Sequence, residues 1–164
     1  GLADLRRLER AMLAKVRTMT EADWAALPDS APAEGLPRRL VRAGRQAVSM
    51  EEFYDLAKTR RYTHARLRRL VLWAFLRLTD APDLALPPYL RVLGFSAAGQ
   101  ALLKEMKRTA ALPILTRSAQ VRSLDPKARL LFELECRCTD LYGLCFDPPR
   151  PAGEEWRQKP ATVE

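Results

Sequence analysis

Lys58-Thr59-Arg60-Arg61-Tyr62-Thr63-His64-Ala65-Arg66-Leu67-Arg68-Arg69 lies between two helical patterns and frames the reading of the rest. The first pattern opens at Ser49 with Glu52 three residues on, the spacing of a capping box. The second starts near Thr63 and runs into Leu70-Val71-Leu72-Trp73-Ala74-Phe75-Leu76. That run is apolar on nearly every side, as a helix enclosed by neighbours is. The reading is a cationic helix start, with Arg66, Arg68 and Arg69, planted on a buried stem. Arginine presents a planar fork of donors that suits phosphate or carboxylate. Helix N-termini add exposed N–H groups and positive partial charge. Tyr62, just before the helix, is placed to stack on a base. A solvated basic face with Tyr62 packed at the edge of the core explains the same residues.

The whole chain carries this bias. It has 164 residues, enough for one domain with its own core, and its 48% hydrophobic content is ordinary for a globular protein. The net charge of +8, from 28 Lys+Arg against 20 Asp+Glu, favours a polyanionic partner, nucleic acid ahead of a membrane surface. Arginine outnumbers lysine, which points to geometric phosphate recognition, although a GC-rich genome gives the same excess. Cys136, Cys138 and Cys145 form neither a CxxC pair nor a His-completed metal site and read as small buried or half-buried thiols in a reducing compartment. No apolar run reaches membrane-spanning length and no signal peptide opens the chain, so the expected location is the cytoplasm. The chain starts at Gly1 and goes directly into a helix, so the expectation is a fragment.

Upstream, Leu2, Leu5, Leu8, Met12, Leu13, Val16 and Met19 recur at helical spacing. Thr20 caps a short helix carrying Trp24 and Leu27, with Glu21 and Asp23 in its first turn. Pro28 to Pro32 is a loop. A third helix, roughly Arg38 to Val48, puts Arg38, Arg42 and Arg45 along one side.

Downstream, prolines around Leu84–Leu86 end any helix. Tyr89 to Phe95 reads as one strand, Ser96 as the cap of a helix holding Leu102, Leu103 and Met106, and Leu112 to Thr116 as a second strand. Strand, helix and strand in so few residues imply a small right-handed βαβ unit. Asp125-Pro126 starts a last helix running to about Cys145, with Leu130, Leu134, Cys138, Leu141 and Cys145 on one stripe. The expected fold is mainly α (α+β): a helical domain over residues 1–146 with a two-stranded parallel βαβ insert, then a proline-dotted tail over 147–164 carrying Trp156.

Catalytic motifs are sparse. His64 is the single histidine, no G-x-S-x-G accompanies it, and one histidine without a thiol cluster argues against transition-metal catalysis. There is no Walker A sequence and no G-x-G-x-x-G. Gly94-Phe95-Ser96 is a strand-to-helix turn that either holds a phosphate or merely allows a bend. Glu133 and Glu135 are two apart on a helix and point to different faces. The chain taken alone reads as a binding or support domain without catalytic residues of its own.

Several segments together resemble the bacterial tRNA(Met) cytidine acetate ligases, a family of predicted nucleotidyltransferases. They are Glu34-Gly35-Leu36, Lys58 to Thr63, Pro87-Pro88-Tyr89-Leu90-Arg91-Val92-Leu93-Gly94-Phe95, Leu112-Pro113-Ile114, Cys138-Thr139-Asp140-Leu141-Tyr142 and the tail Gln158-Lys159-Pro160. Cys138 departs from the alanine expected there. The Pro-Pro-Tyr run is the most specific of these. The resemblance implies a two-part enzyme whose N-terminal, Rossmann-type domain with a His-x-x-His motif activates acetate with ATP to acetyl-adenylate. The acetyl group then passes to the wobble cytidine of elongator tRNA(Met), while a more helical C-terminal part helps to hold the tRNA.

This chain corresponds to that C-terminal part. ATP and acetate are therefore expected of the full-length enzyme and no cofactor of this chain, with tRNA and the missing N-terminal domain as partners. The candidate nucleic-acid-binding residues are Lys58, Arg60, Arg61, Tyr62, Arg66 and Arg69, joined by Arg38, Arg42 and Arg91. Two alternatives stay open: Lys58 to Thr63 completes the acetyl-adenylate pocket, or the chain is a docking or dimerisation module supporting the catalytic domain.

Overall fold

The computed structural model describes residues 2–28, 35–80, 87–150 and 161–163. The loop at 29–32, Glu34, Leu84–Leu86, Trp156 and Gln158-Lys159-Pro160 lie outside the described residues. The fold is mainly α, and the chain divides into two compact units, Gly1–Pro82 with Leu141–Arg150, and Asp83–Asp140 with Pro151–Glu164.

The first unit is a set of short capped helices. α1 (Leu5–Thr18) is capped by Asp4, whose carboxylate accepts from the Arg6 N–H. α2 (Glu21–Ala25) carries a complete Thr20/Asp23 capping box. α3 spans Leu36–Gln46, α4 Met50–Ala57 and α5 His64–Leu76. At α4 the Ser49 hydroxyl accepts from Glu52 N at 3.1 Å, but the Glu52 carboxylate reaches the Val48 N–H at 3.2 Å, one residue before the expected target.

α3 packs against α1, α2 and α4. Gly44 makes this possible, since a Cβ there would lie 2.5 Å from the Val16 carbonyl oxygen. The core gathers Trp24, Leu40, Phe53, Tyr62, Leu67 and Leu70, with Trp24 and Phe53 stacked at 6.0 Å. Each such side chain contributes about 1.5–3 kcal/mol on burial. Leu2 and Leu5, expected on the apolar stripe of α1, are instead exposed.

The second unit holds the strands. The single strand expected over Tyr89 to Phe95 is two: β1 (Leu90–Arg91) and β2 (Gly94–Phe95). β1 pairs in parallel with β3 (Ile114–Leu115), Leu90 opposite Ile114, and α6 (Gly99–Thr109) lies between them in the chain. β2 pairs in parallel with β4 (Thr162–Val163), a partner that periodicity in the sequence does not reveal. Pairing on two different strands is what divides the segment. A 3₁₀ helix (Ser118–Ser123) leads to α7 (Pro126–Gly143), where the Asp125 carboxylate accepts from Ala128 N at 2.9 Å.

The second core joins Tyr89, Leu115, Val121, Ala128, Phe132 and Cys136. From α7 this core takes Ala128, Phe132 and Cys136; of the expected stripe Leu134 is buried, whereas Leu130 and Cys138 are exposed. Apolar residues recur at helical spacing on more than one side of α7, so periodicity alone does not single out the face that Phe132 occupies. No helix among the described residues is long and apolar enough to cross a membrane.

Candidate nucleic-acid interface

The turn between α4 and α5 is closed by its own residues. Thr59 N donates to the Tyr62 carbonyl at 3.0 Å, and Tyr62 N returns to the Thr59 hydroxyl at 2.9 Å. Thr63 then caps α5 by accepting from Arg66 N at 3.4 Å. Tyr62 is only 2% exposed and anchors the turn in the core. Its ring is covered by the Arg66 guanidinium at 4.2 Å, so it offers no open face on which a base could stack. Burial corrects that expectation for Tyr62.

Locked from below in this way, the turn displays Arg60 and Arg61 at its tip. Both are exposed, and neither side chain has a hydrogen-bond or ion-pair partner among the described residues. The other cations of the stretch have local duties. Arg66 is half-buried and donates to the Arg61 carbonyl at 3.3 Å. Arg68 lies 5.4 Å from the Tyr54 ring, and Arg69 lies 5.4 Å from the Trp73 ring, their charged ends exposed.

Lys58 Nζ and His64 Nε2 converge on the Asp55 carboxylate at 3.3 and 3.0 Å. The Lys58 hydrogen bond is the main reason that Asp55 titrates below the usual carboxylate range. Among the described residues no nucleophile completes a triad with this pair.

α3 supplies a second basic feature in the same unit. Arg38, Arg39, Arg42 and Arg45 are exposed along it, and Arg38 sits 3.6 Å from Glu21. Two shallow clefts flank the row. One of about 230 Å³ is walled by Gly35, Arg38, Arg39, Arg42 and Leu56; the other, about 380 Å³, by Glu21, Arg38, Val41, Arg42 and Arg45. Arg38 and Arg42 serve both. None of the described residues 58–69 lines either cleft. Arg39, three residues before Arg42, lies beside the expected row of Arg38, Arg42 and Arg45 and lines the first cleft.

Arg91 does not join them. It belongs to the other unit, its side chain is 11% exposed, and its Nη1 lies 4.0 Å from the Glu135 carboxylate. Its guanidinium stacks over Phe132 at 4.7 Å, and burial depresses its pKa. The neighbouring Tyr89 hydroxyl is pushed well up, first by burial and then by Glu135. This arginine is committed inside its own unit, which corrects its place among the surface contacts. Nor is Gly94-Phe95-Ser96 an open phosphate turn: Gly94 and Phe95 form β2, and the Ser96 hydroxyl already takes the Gly99 N–H at 3.1 Å. Of the thiols, Cys136 and Cys145 are buried and Cys138 is exposed.

The family model described as HIGH Nucleotidyl Transferase matches residues 2–156. Among curated proteins, the tRNA(Met) cytidine acetate ligase of Acetivibrio thermocellus is 34% identical over 134 residues, covering 76% of this chain and 32% of that protein. The tRNA(Met) cytidine acetate ligase of Caldanaerobacter subterraneus is 34% identical over 116 residues, covering 70% and 29%. The chain thus spans about a third of the length of these relatives.

Two crystal structures of Thermotoga maritima TmcAL share the fold. The apo form has a TM-score of 0.70 at 23% identity, over 97% of this chain and 40% of that one. The form bound with alpha-thio ATP has a TM-score of 0.70 at 24% identity, over 99% and 42%. With the family model matched across nearly all of its length, the chain belongs to the HIGH nucleotidyl transferase family.

Proposed function

We propose that this chain is the tRNA-holding, C-terminal part of an ATP-dependent tRNA(Met) cytidine acetate ligase. In this reading residues 1–146 grip the RNA and 147–164 form the tail. A nucleotidyltransferase domain N-terminal to the chain activates acetate as acetyl-adenylate and acetylates the wobble cytidine. The observation that carries the proposal is the display of Arg60 and Arg61, exposed and unpaired among the described residues, on a turn locked by Thr59 and Tyr62. An arginine fork on a rigid support loses less freedom when it meets a phosphate, and charge-assisted bidentate bonds are the strong ones. The α3 row and the net charge of +8 extend the same preference. The names of the curated relatives supply the substrate class.

Contacts of this kind give affinity and register but carry no base identity. With Tyr62 in the core, choice of the cytidine falls to base contacts elsewhere in the full-length enzyme. The test is fluorescence anisotropy of this chain with labelled tRNA(Met) at two salt concentrations, an unrelated tRNA serving as control. Binding should fall steeply with salt, since released counterions set the slope. Arg60→Ala with Arg61→Ala should weaken it about tenfold, equivalent to about 1.4 kcal/mol, without moving the melting temperature. Equal binding by the double variant removes the tip from the interface. Absence of binding even at low salt sinks the reading in favour of a docking module.

A further inference from the structure

The second unit contains a cleft that the surface just described does not use. It has a volume of about 850 Å³ and lies between α6 and the 3₁₀ helix. Lys104, Lys107 and Arg117 line it, and no carboxylate does among the described residues. A concave surface lined by one sign of charge focuses its potential into the cleft. The polar wall is fixed in place. Lys107 Nζ donates to the Thr116 hydroxyl at 2.9 Å. Gln120 Oε1 accepts from Thr116 N at 2.8 Å and from Arg117 N at 2.9 Å, which holds the carboxamide still. Phe95, Leu103, Ala119 and Ala161 supply the apolar part of the lining, and Gln100 adds one further carboxamide. The Ala161 N–H ties the returning C-terminal segment to the Thr116 carbonyl at 2.7 Å.

We infer that this cleft is a nucleotide-binding site, taking a phosphate between Lys104, Lys107 and Arg117 and laying the attached base against Phe95. The argument is one of joint demand. Three cations without a carboxylate call for an anion, and the apolar wall calls for a flat uncharged surface next to it. A nucleotide unit carries both, and the volume lies in the range of small-ligand sites. Grooves for single-stranded nucleic acid combine the same two parts, a cationic track and an aromatic platform. The occupant is a single-stranded stretch of RNA, so the inference deepens the RNA-holding reading. A free mononucleotide shares the chemistry and is separated from RNA by the test.

The experiment is a titration of this chain with a labelled, unstructured oligoribonucleotide, followed by anisotropy and by amide NMR shifts. The shifts should centre on Phe95, Thr116 and Gln120. Lys104→Gln with Arg117→Gln, two exposed positions, should weaken binding about tenfold with an unchanged melt. The salt slope should become shallower by about 0.7 for each phosphate that the variant no longer neutralises. Added AMP that moves the same amides and displaces the oligonucleotide would name the free nucleotide as occupant and support the site. AMP that does neither assigns the site to the polymer. Shifts confined to residues 58–69, or equal displacement by polyglutamate, would overturn the inference. It is separable from the earlier proposal: tRNA binding abolished through Arg60 and Arg61 with a silent cleft sinks only this one. Cleft shifts without tRNA binding sink only the other.

Discussion

In the Lys58–Thr63 turn the tyrosine goes in and the arginines go out, whereas in the Tyr89–Phe95 segment tyrosine and arginine both go in. The residue types match; their surroundings do not. Around Tyr62 the chain leaves one helix and enters another, so one side chain drops into the core and its two predecessors project from the tip. Around Arg91 the chain is extended, and successive side chains alternate between faces. Tyr89 and Arg91 share the inner face, where Phe132 and Glu135 of α7 receive the guanidinium, and Leu90 is left 42% exposed. A cation therefore counts as a binding residue only once its local backbone is known. The same cation can close a core or greet a phosphate.

This contrast can be broken by substitution. The largest effect should come from Tyr62→Ala, which empties a fully enclosed aromatic site. Truncations of buried aromatics cost about 3–5 kcal/mol, and thermal unfolding should show a loss on that scale. A melt shifted by less than a third of it would mean that the ring does not anchor the turn.

Arg91→Ala should cost about 2 kcal/mol, below the roughly 3–5 of a fully enclosed pair because Glu135 still reaches water. Its affinity for tRNA, measured on folded protein, should stay at the parent value. Weakened binding with a normal melt would return Arg91 to the surface. The Arg60/Arg61 pair is expected to behave in the opposite way.

The smallest effect is pH-dependent and lies in the α2 cap. The Thr20 backbone and hydroxyl hold the Asp23 carboxylate below its ordinary value of 3.8. A lowered folded pKa contributes stability that is present above the unfolded value and lost as pH falls through the folded one. The acid limb of the melting curve below pH 3.8 should therefore flatten slightly in Asp23→Asn. Identical acid limbs in both proteins would show that the box contributes nothing measurable.

The helix starts were legible because caps are local: Thr20, Ser49, Thr63 and Asp125 each bond backbone N–H groups a few residues away. The basic stretch was legible as composition, and it includes Arg60 and Arg61, which the fold leaves exposed. The split strand was not legible, because β2 finds its partner far along the chain at Thr162–Val163. Nor was the cationic cleft. Lys104 and Lys107 stand three apart on α6, but Arg117 meets them only because β3 and the 3₁₀ helix fold back beside that helix.

By itself, the sequence determined the helical class, the caps at Thr20, Ser49 and Asp125, the excess of arginine and a family resemblance. These depend on contacts within a few residues or on counts alone. Only the tertiary structure decided that Tyr62 and Arg91 are interior, that Phe132 rather than Leu130 faces the second core, and that three cations meet around one cleft. Each of those outcomes depends on which distant backbone arrives beside a side chain, and burial, unlike a cap, is not a local property of the chain.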